Sequence, residues 1–214
     1  MFSKDYAKNY EILNQEKDYK KEIEFIYEWA KHPQKIFDLG CGTAHYWKYY
    51  PEGVQIIGVD QSKDMIEMSP YKSKIMHGDI TAELKMKPYF DLVTSLFDVI
   101  GYMPNNDWWG KIPLKKDGYF IFDIWNKKKV LRDGFNVSIR WVNDLFRVIS
   151  PIYHDENRVK FQIDLTSTTV CLREIHEMFL YDQEDIEELA GDDFEIVDIE
   201  ETEKWQTFYK LKKN

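Results

Sequence analysis

The stretch KIFDLGCGTAHYW, Lys35–Trp47, limits what this chain can fold into more than any other. A short apolar run reaches an acid, Asp38, and then Gly40 and Gly42 on either side of a cysteine. Such a strand running into a glycine turn lets a ligand approach the backbone closely, because glycine reaches positive φ and carries no Cβ. Two familiar glycine-loop chemistries do not fit. A nucleotide-phosphate loop needs Gly-x-x-x-x-Gly-Lys followed by Ser or Thr, which the chain lacks. The dinucleotide fingerprint Gly-x-Gly-x-x-Gly has His45 at its third position. Asp38, two residues before Gly40, sits badly beside a pyrophosphate and well beside a cation such as a sulfonium or an amino group.

Further strands and helices follow in alternation. Apolar runs at Val54–Asp60, in KIMHGDI, at Leu92–Leu96 and at Tyr119–Ile124 read as strands two to five, after Lys35–Leu39. Tyr19–Lys31, Thr43–Tyr50 and KDMIEM behind a Ser62 cap read as helices, the first stopped at His32-Pro33. The alternation predicts a largely parallel sheet with helices on both faces. Residues 136–181 switch to period two and read as an antiparallel meander. DQEDIEELAG is a helix capped by Asp182, and FEIVDIEE and WQTFYKLKK are a last antiparallel pair on the main sheet. Asp60, at the end of the second strand, is placed to accept from two ribose hydroxyls, and Asp79 from an adenine amino group. An adenosine half, no diphosphate and an acid near a cationic tail together describe S-adenosylmethionine.

The segments FDLGCGTA (37–44), VQIIGVDQSKDMIEMS (54–69), IMHGDI (75–80) and FDLVTSLFDVIGYM (90–103) resemble the class I S-adenosylmethionine-dependent methyltransferases, over about residues 10–125. The resemblance implies an α/β fold, a doubly wound Rossmann-like sheet. That sheet is mostly parallel, has a C-terminal antiparallel strand pair, and carries an inserted antiparallel β-meander. It places Asp38, Gly40, Cys41, Gly42, Thr43 and Ala44 along the methionine moiety and Asp60 on the ribose. Gln61 and Met65 then flank the adenine, Asp79 and Ile80 meet its edge, and Leu96 and Phe97 contact cofactor and acceptor. Ala44 stands where the commonest family pattern has a third glycine, which asks for a methyl of extra room.

YEILNQEKDYKKEIEF (10–25), FDVIGYM and GYFIFDIWNKKKVL are similar to a small-molecule subgroup that includes N-methyltransferases of nucleotide-linked amino sugars. Glu11 and Asn14 depart from its opening pattern, and the helix before the fifth strand looks shortened. The resemblance nominates Tyr19, Tyr102, Trp125 and His176 for the acceptor side, with Tyr19 also closing over the cofactor. His45 and His77 are expected to face solvent or packing. Asp98 and Asp123 could be proposed as metal ligands, but their spacing demands none, and no metal is expected. Nitrogen of a small amine, such as an amino sugar, is the expected acceptor, because the segment after the fourth strand offers no base. His176 with Glu174 or Glu177 is the one His–acid combination near, and alternation is expected to turn both glutamates away from it. O-methylation of a small metabolite or saccharide and a non-catalytic binding module are the alternatives.

A net charge of −9 over 214 residues repels nucleic-acid backbones. Two cysteines make no disulfide framework, and no apolar run is long enough to span a membrane. The expectation is a cytoplasmic enzyme with a small-molecule acceptor, no nucleic-acid or membrane partner, and a monomer or a homodimer through the meander. One domain, 1–214, is expected: an N-terminal lid and helix (1–31), a cofactor core (34–125), the meander as a cap (136–181), and a closing helix and strands (182–214). Residues 1–20, polar with spaced tyrosines, are expected to act as the lid.

Overall fold

The computed structural model describes residues 3–80, 86–103, 108–202 and 205–214. Its main sheet has seven strands: β1 Lys35–Leu39, β2 Gln55–Asp60, β3 Ile75–His77, β4 Phe90–Ser95, β5 Leu114–Trp125, β10 Phe194–Glu201 and β11 Gln206–Lys213. Their order is β10-β11-β5-β4-β1-β2-β3. The first five pair in parallel, and β11 runs antiparallel to both β5 and β10. A sheet covered on both faces needs strands apolar on both sides, and these strands are. Phe37, Val93, Phe120 and Phe122 turn to one face, beneath Trp108, Trp109 and Ile186. Ile36, Leu92 and Ile121 turn to the other, beneath Ile23 and Ile26.

Ile23 and Ile26 belong to helix α2, Tyr19–Trp29, capped by the Asp18 side chain. The chain leaves α2 through Lys31 and His32, both at positive φ, and Pro33 disfavours continuing the helix through the residue before it. Ser62 caps α3, Lys63–Met68, as expected. Thr43–Tyr50 is not an α-helix. Ala44 takes φ 52, and only a 3₁₀ segment, His45–Tyr49, follows. Ala44 thus meets the positive φ of the glycine it replaces, a backbone cost of about 1 kcal/mol beyond the room its methyl needs. Between β4 and β5 the described residues hold two 3₁₀ turns, Val99–Tyr102 and Trp109–Lys111, and β5 itself begins at Leu114 rather than Tyr119.

After β5, α4 (Lys127–Asp133) leads into a separate four-stranded antiparallel sheet, β6 Ser138–Val142, β7 Leu145–His154, β8 Arg158–Thr166 and β9 Cys171–Phe179, in that order. Val159, Phe161, Ile163 and Leu165 alternate onto its inner face. Helix α1, Lys4–Leu13, capped by Ser3, was not anticipated as a helix. It buries Tyr6, Ala7 and Leu13 in the same cluster as Met65 of α3 and the inner face of the meander. α5, Gln183–Ala190, begins with a capping box at Asp182. Both cysteines are free, and no helix among the described residues is long and apolar enough to cross a membrane.

Candidate active site

A cavity of about 770 Å³ lies over the carboxyl ends of β1, β2, β4 and β5, the end where open α/β sheets bind ligands. α1, the start of α2 and the inner face of the meander enclose it.

Its cofactor side begins with the glycine loop. The Gly40 and Cys41 amides donate to the Val59 carbonyl, at 2.8 and 3.2 Å. Gly40 needs to be glycine twice over: its φ is +70, and a Cβ would lie 2.6 Å from Cγ1 of Val99. Gly42, at φ +55, has open space where a Cβ would stand. Asp60 holds this loop to the end of β2: its Oδ2 accepts from the Gly42 amide (2.8 Å) and its Oδ1 from the Ser62 amide (2.7 Å). Burial raises the Asp60 carboxyl, and those two amide bonds hold it down. Each oxygen keeps a lone pair for a further donor. Gly40, Cys41, Gly42, Thr43, Asp60, Gln61, Met65, Ile80, Leu96 and Phe97 all line the cavity. Ala44 is buried behind the wall, and Asp79 is exposed outside it.

Asp38 is not in the wall either. Its carboxylate accepts from the Tyr46 hydroxyl and the Trp47 indole (2.6 Å each) and from the Thr94 hydroxyl (2.8 Å). It ties β1 to β4 and to the 3₁₀ segment behind the glycine loop, and burial pushes it up to about 6. His45 does not face solvent. It lines the cavity at 7% exposure, with Nδ1 3.1 Å from the Thr43 hydroxyl and Tyr19 edge-on at 4.3 Å. Its Nε2 is buried with no hydrogen-bond partner among the described residues, and burial lowers the ring to about 4, so it stays neutral at ordinary pH.

At the end of β4 the backbone makes an uncommon turn. Phe97 and Asp98 both take positive φ, 67 and 61, a conformation that costs of order 1–3 kcal/mol for each such residue. Asp123 of β5 offsets part of this cost. Its buried carboxylate accepts from the Phe97 amide (2.6 Å), the Asp98 amide (3.3 Å) and the Gln206 side chain (2.8 Å). Lys17, in the link between α1 and α2, pairs with Glu22 at 3.2 Å and lies 3.7 Å above the Phe97 ring. Asp98 and Asp123 thus serve backbone and cavity. No group of three or more His, Cys, Asp or Glu among the described residues is placed to hold a metal ion.

The acceptor side is aromatic. Trp125 stacks on Phe161 at 5.8 Å, and Phe135 lies against both. The Tyr102 hydroxyl lies 3.2 Å from His176 Nδ1, and His176 Nε2 lies 3.2 Å from Oε2 of Glu174, whose Oε1 accepts from the Ser3 amide at 2.7 Å. Residues two apart on a strand share a face. Glu174 therefore stands beside His176, against the expectation that both glutamates turn away, while Glu177 points outward to Arg158. The His–acid pair that the sequence reading found missing is present. Tyr19, Tyr102, Trp125 and His176 all line the one cavity. Lys17 carries no sequence signal, His45 was expected to face solvent or packing, and Asp98 was weighed only as a metal ligand; the i, i+2 spacing of Glu174 and His176 was enough to find that pair.

This strand order, with an antiparallel edge pair and a cavity above the parallel strands, is the S-adenosylmethionine-dependent methyltransferase fold. The chain is similar to a solved S-adenosylmethionine-dependent methyltransferase from Clostridium acetobutylicum at 24% identity, over 96% of each chain, with a TM-score of 0.79. It is also similar to S-adenosylmethionine-bound CalS10, an amino pentose methyltransferase of Micromonospora echinaspora (12% identity, 100% of this chain and 98% of that one, TM-score 0.74). The sugar N-methyltransferase KedS8 of a Streptoalloteichus species matches at 15% identity, over 92% of this chain and 89% of that one, with a TM-score of 0.73. At these identities the likeness is one of fold. No curated protein matches the chain. Residues 36–112 match the family model described as a methyltransferase domain. That stretch holds the glycine loop, Asp60 and the turn after β4, and S-adenosylmethionine is the cofactor named for the similar solved structures. The lining suits that molecule: a carboxylate with lone pairs to spare at the end of β2, open space at Gly42, and a buried His45 Nε2 with no partner among the described residues.

Proposed function

We propose that the protein methylates a small molecule, on nitrogen of an amino sugar or similar amine. The observation that carries this reading is the enclosure of the acceptor side: α1 and the meander roof a cavity of about 770 Å³ with aromatic walls, a volume suited to a cofactor and a small acceptor. The amino pentose and sugar N-methyltransferases among the structural relatives support it. Bound S-adenosylmethionine supplies a methyl group already activated on a sulfonium. The chain's task is then to orient and to exclude water. On this reading Asp60 holds the ribose, Gln61, Met65 and Ile80 bracket the adenine, and the loop from Gly40 to Thr43 runs along the methionine end. Tyr19 closes over the cofactor from α2, and Tyr102, Trp125 and His176 shape the acceptor side.

A second reading, O-methylation, is favoured by one observation. The chain Tyr102–His176–Glu174 is a hydrogen-bonded base and acid at the cavity, which a hydroxyl acceptor requires. Product analysis decides between the two. The enzyme is incubated with methyl-labelled S-adenosylmethionine and paired amino sugars, their N-acetyl forms and the parent sugars, and mass spectrometry locates the label. Label on nitrogen supports the first reading, and label on oxygen refutes it.

The unpaired cysteines support a reducing, cytoplasmic setting, and the net charge of −9 argues against nucleic-acid partners. The outer face of the meander exposes Ile139, Trp141 (68% exposed) and Ile175, which favours a homodimer through that sheet over a monomer. Light scattering that finds only monomer at 100-fold different concentrations would remove this part.

A further inference from the structure

Nearly every charged group in the cavity wall already has a partner. Asp60 accepts from two backbone amides. Asp133 accepts from Arg132 and from the Trp205 indole. Lys17 pairs with Glu22. Asp98 is different. The residue as a whole is half-buried, yet its Oδ1 is sealed from solvent with no hydrogen-bond partner among the described residues. Its carboxylate otherwise engages the Trp125 indole.

The position of Asp98 is as unusual as its chemistry. It follows Phe97 on the cofactor side of the cavity and precedes Tyr102, with Trp125, on the acceptor side. Its left-handed backbone is pinned by the Asp123 carboxylate. A buried carboxylate oxygen with an open hydrogen-bond position is best satisfied by a charged N–H donor. Trp125, whose indole N–H meets this carboxylate, and Tyr102 line the same cavity. We propose that Asp98 is the receptor for the methyl acceptor, which it takes as a protonated amine with an ammonium N–H on its open oxygen.

The assignment rests on the nitrogen reading above. An ammonium has no lone pair, so it must lose a proton before it can accept a methyl group. One N–H bond breaks, its electron pair stays on nitrogen, and the proton passes to the Asp98 carboxylate. Neutral amine and neutral acid remain side by side. Burial, and the charge of Asp123 behind it, raise the Asp98 carboxyl well above the ordinary carboxylate range, which suits it to keep that proton. Glu22 of α2 adds to the rise, while Lys17 and the Trp125 indole oppose it. Tyr102, on the turn after β4, stays protonated because burial raises its phenol.

The test uses the full chain saturated with S-adenosylhomocysteine. The probes are cyclohexylamine, N-cyclohexylacetamide and cyclohexanol, with glucosamine, N-acetylglucosamine and glucose as a second set, read by calorimetry and ligand-observed NMR. Wild type is expected to bind the amines at least about tenfold more tightly than their neutral counterparts, the scale of one charge-assisted hydrogen bond. Asp98→Asn is expected to bring all three within about threefold of one another while leaving S-adenosylhomocysteine affinity unchanged. Asparagine tolerates positive φ as aspartate does, so the turn should persist. Wild type without an amine preference, or binding none of the probes, overturns the proposal. So does a preference that survives Asp98→Asn. Carboxyl ¹³C titration of wild type alone gives an independent check: no aspartate resonance moving on addition of cyclohexylamine also overturns it. If N-methylated product forms while Asp98→Asn keeps the preference, only this assignment falls. If product is methylated on oxygen, the nitrogen reading falls with it.

Discussion

Glu22 offers the most direct test of the electrostatics around the cavity. It sits on the first turn of α2, its side chain 13% exposed, with Oε2 paired to Lys17 and Oε1 buried without a hydrogen-bond partner among the described residues. Burial is the largest influence on it, Lys17 opposes that, and the carboxyl is raised from 4.5 to about 7. A folded-state value above the unfolded one means that the native state binds more protons between the two. The stability contributed by the protonated form is fully present below about 4.5 and is lost as pH rises through about 7. For one carboxyl shifted by that amount, the loss between pH 5 and pH 8 is up to about 2.5 kcal/mol, at ~1.4 kcal/mol per pH unit where the two states differ by a full proton. Glu22→Gln keeps the shape and removes the titration. Its stability relative to wild type should therefore rise with pH, with a gain of about 2 kcal/mol at pH 8 over that at pH 5, read by urea unfolding at both values. If the difference between wild type and Glu22→Gln is the same at both pH values, or grows toward low pH, the carboxyl is not held protonated by burial and the reasoning fails.

Asp60→Ala should weaken S-adenosylhomocysteine binding by about 1.5–3 kcal/mol in calorimetry, since it removes a partly buried acceptor and frees the Gly42 amide that positions the loop; unchanged affinity would refute the ribose assignment. Gly40→Ala should destabilise the fold by at least about 1–2 kcal/mol from its positive φ alone, with more from Val99, so Gly40→Ala/Val99→Ala in chemical unfolding should recover only the steric part. Amide exchange in residues 4–13 should slow when S-adenosylhomocysteine is added, because α1 roofs the cavity; identical exchange with and without ligand would make α1 a fixed wall and not a lid. His176→Asn should retain most of the methyl transfer to an amine, whereas a loss beyond about 10³-fold, the scale of a lost general base, would favour the hydroxyl reading.

The parts of this protein legible in its sequence are those governed by short-range rules. The apolar run at 35–39, the glycines at 40 and 42 and the acid at 60 lie on neighbouring parallel strands, so chain spacing alone brings Asp60 to the Gly42 amide. Period-two alternation marked the inner face of β8, and side-chain caps marked the starts of α3 and α5. The same alternation contained the Glu174–His176 pair, and only its phase was misread. Other features were settled by contacts that no local pattern encodes. Asp38 reads as a cofactor ligand beside a glycine loop, but Thr94, 56 residues away, and the Trp47 indole claim its oxygens on the side away from the cavity. Ser3 reaches Glu174 across 171 residues, and this contact anchors α1 beside the meander. Asp98 became a strained wall residue only when Asp123, on the next strand over, supplied an acceptor for two left-handed amides. Periodicity states which face a side chain takes. The donor that meets it there belongs to whichever distant segment folding brings alongside, and a buried carboxylate acquires its role from that partner.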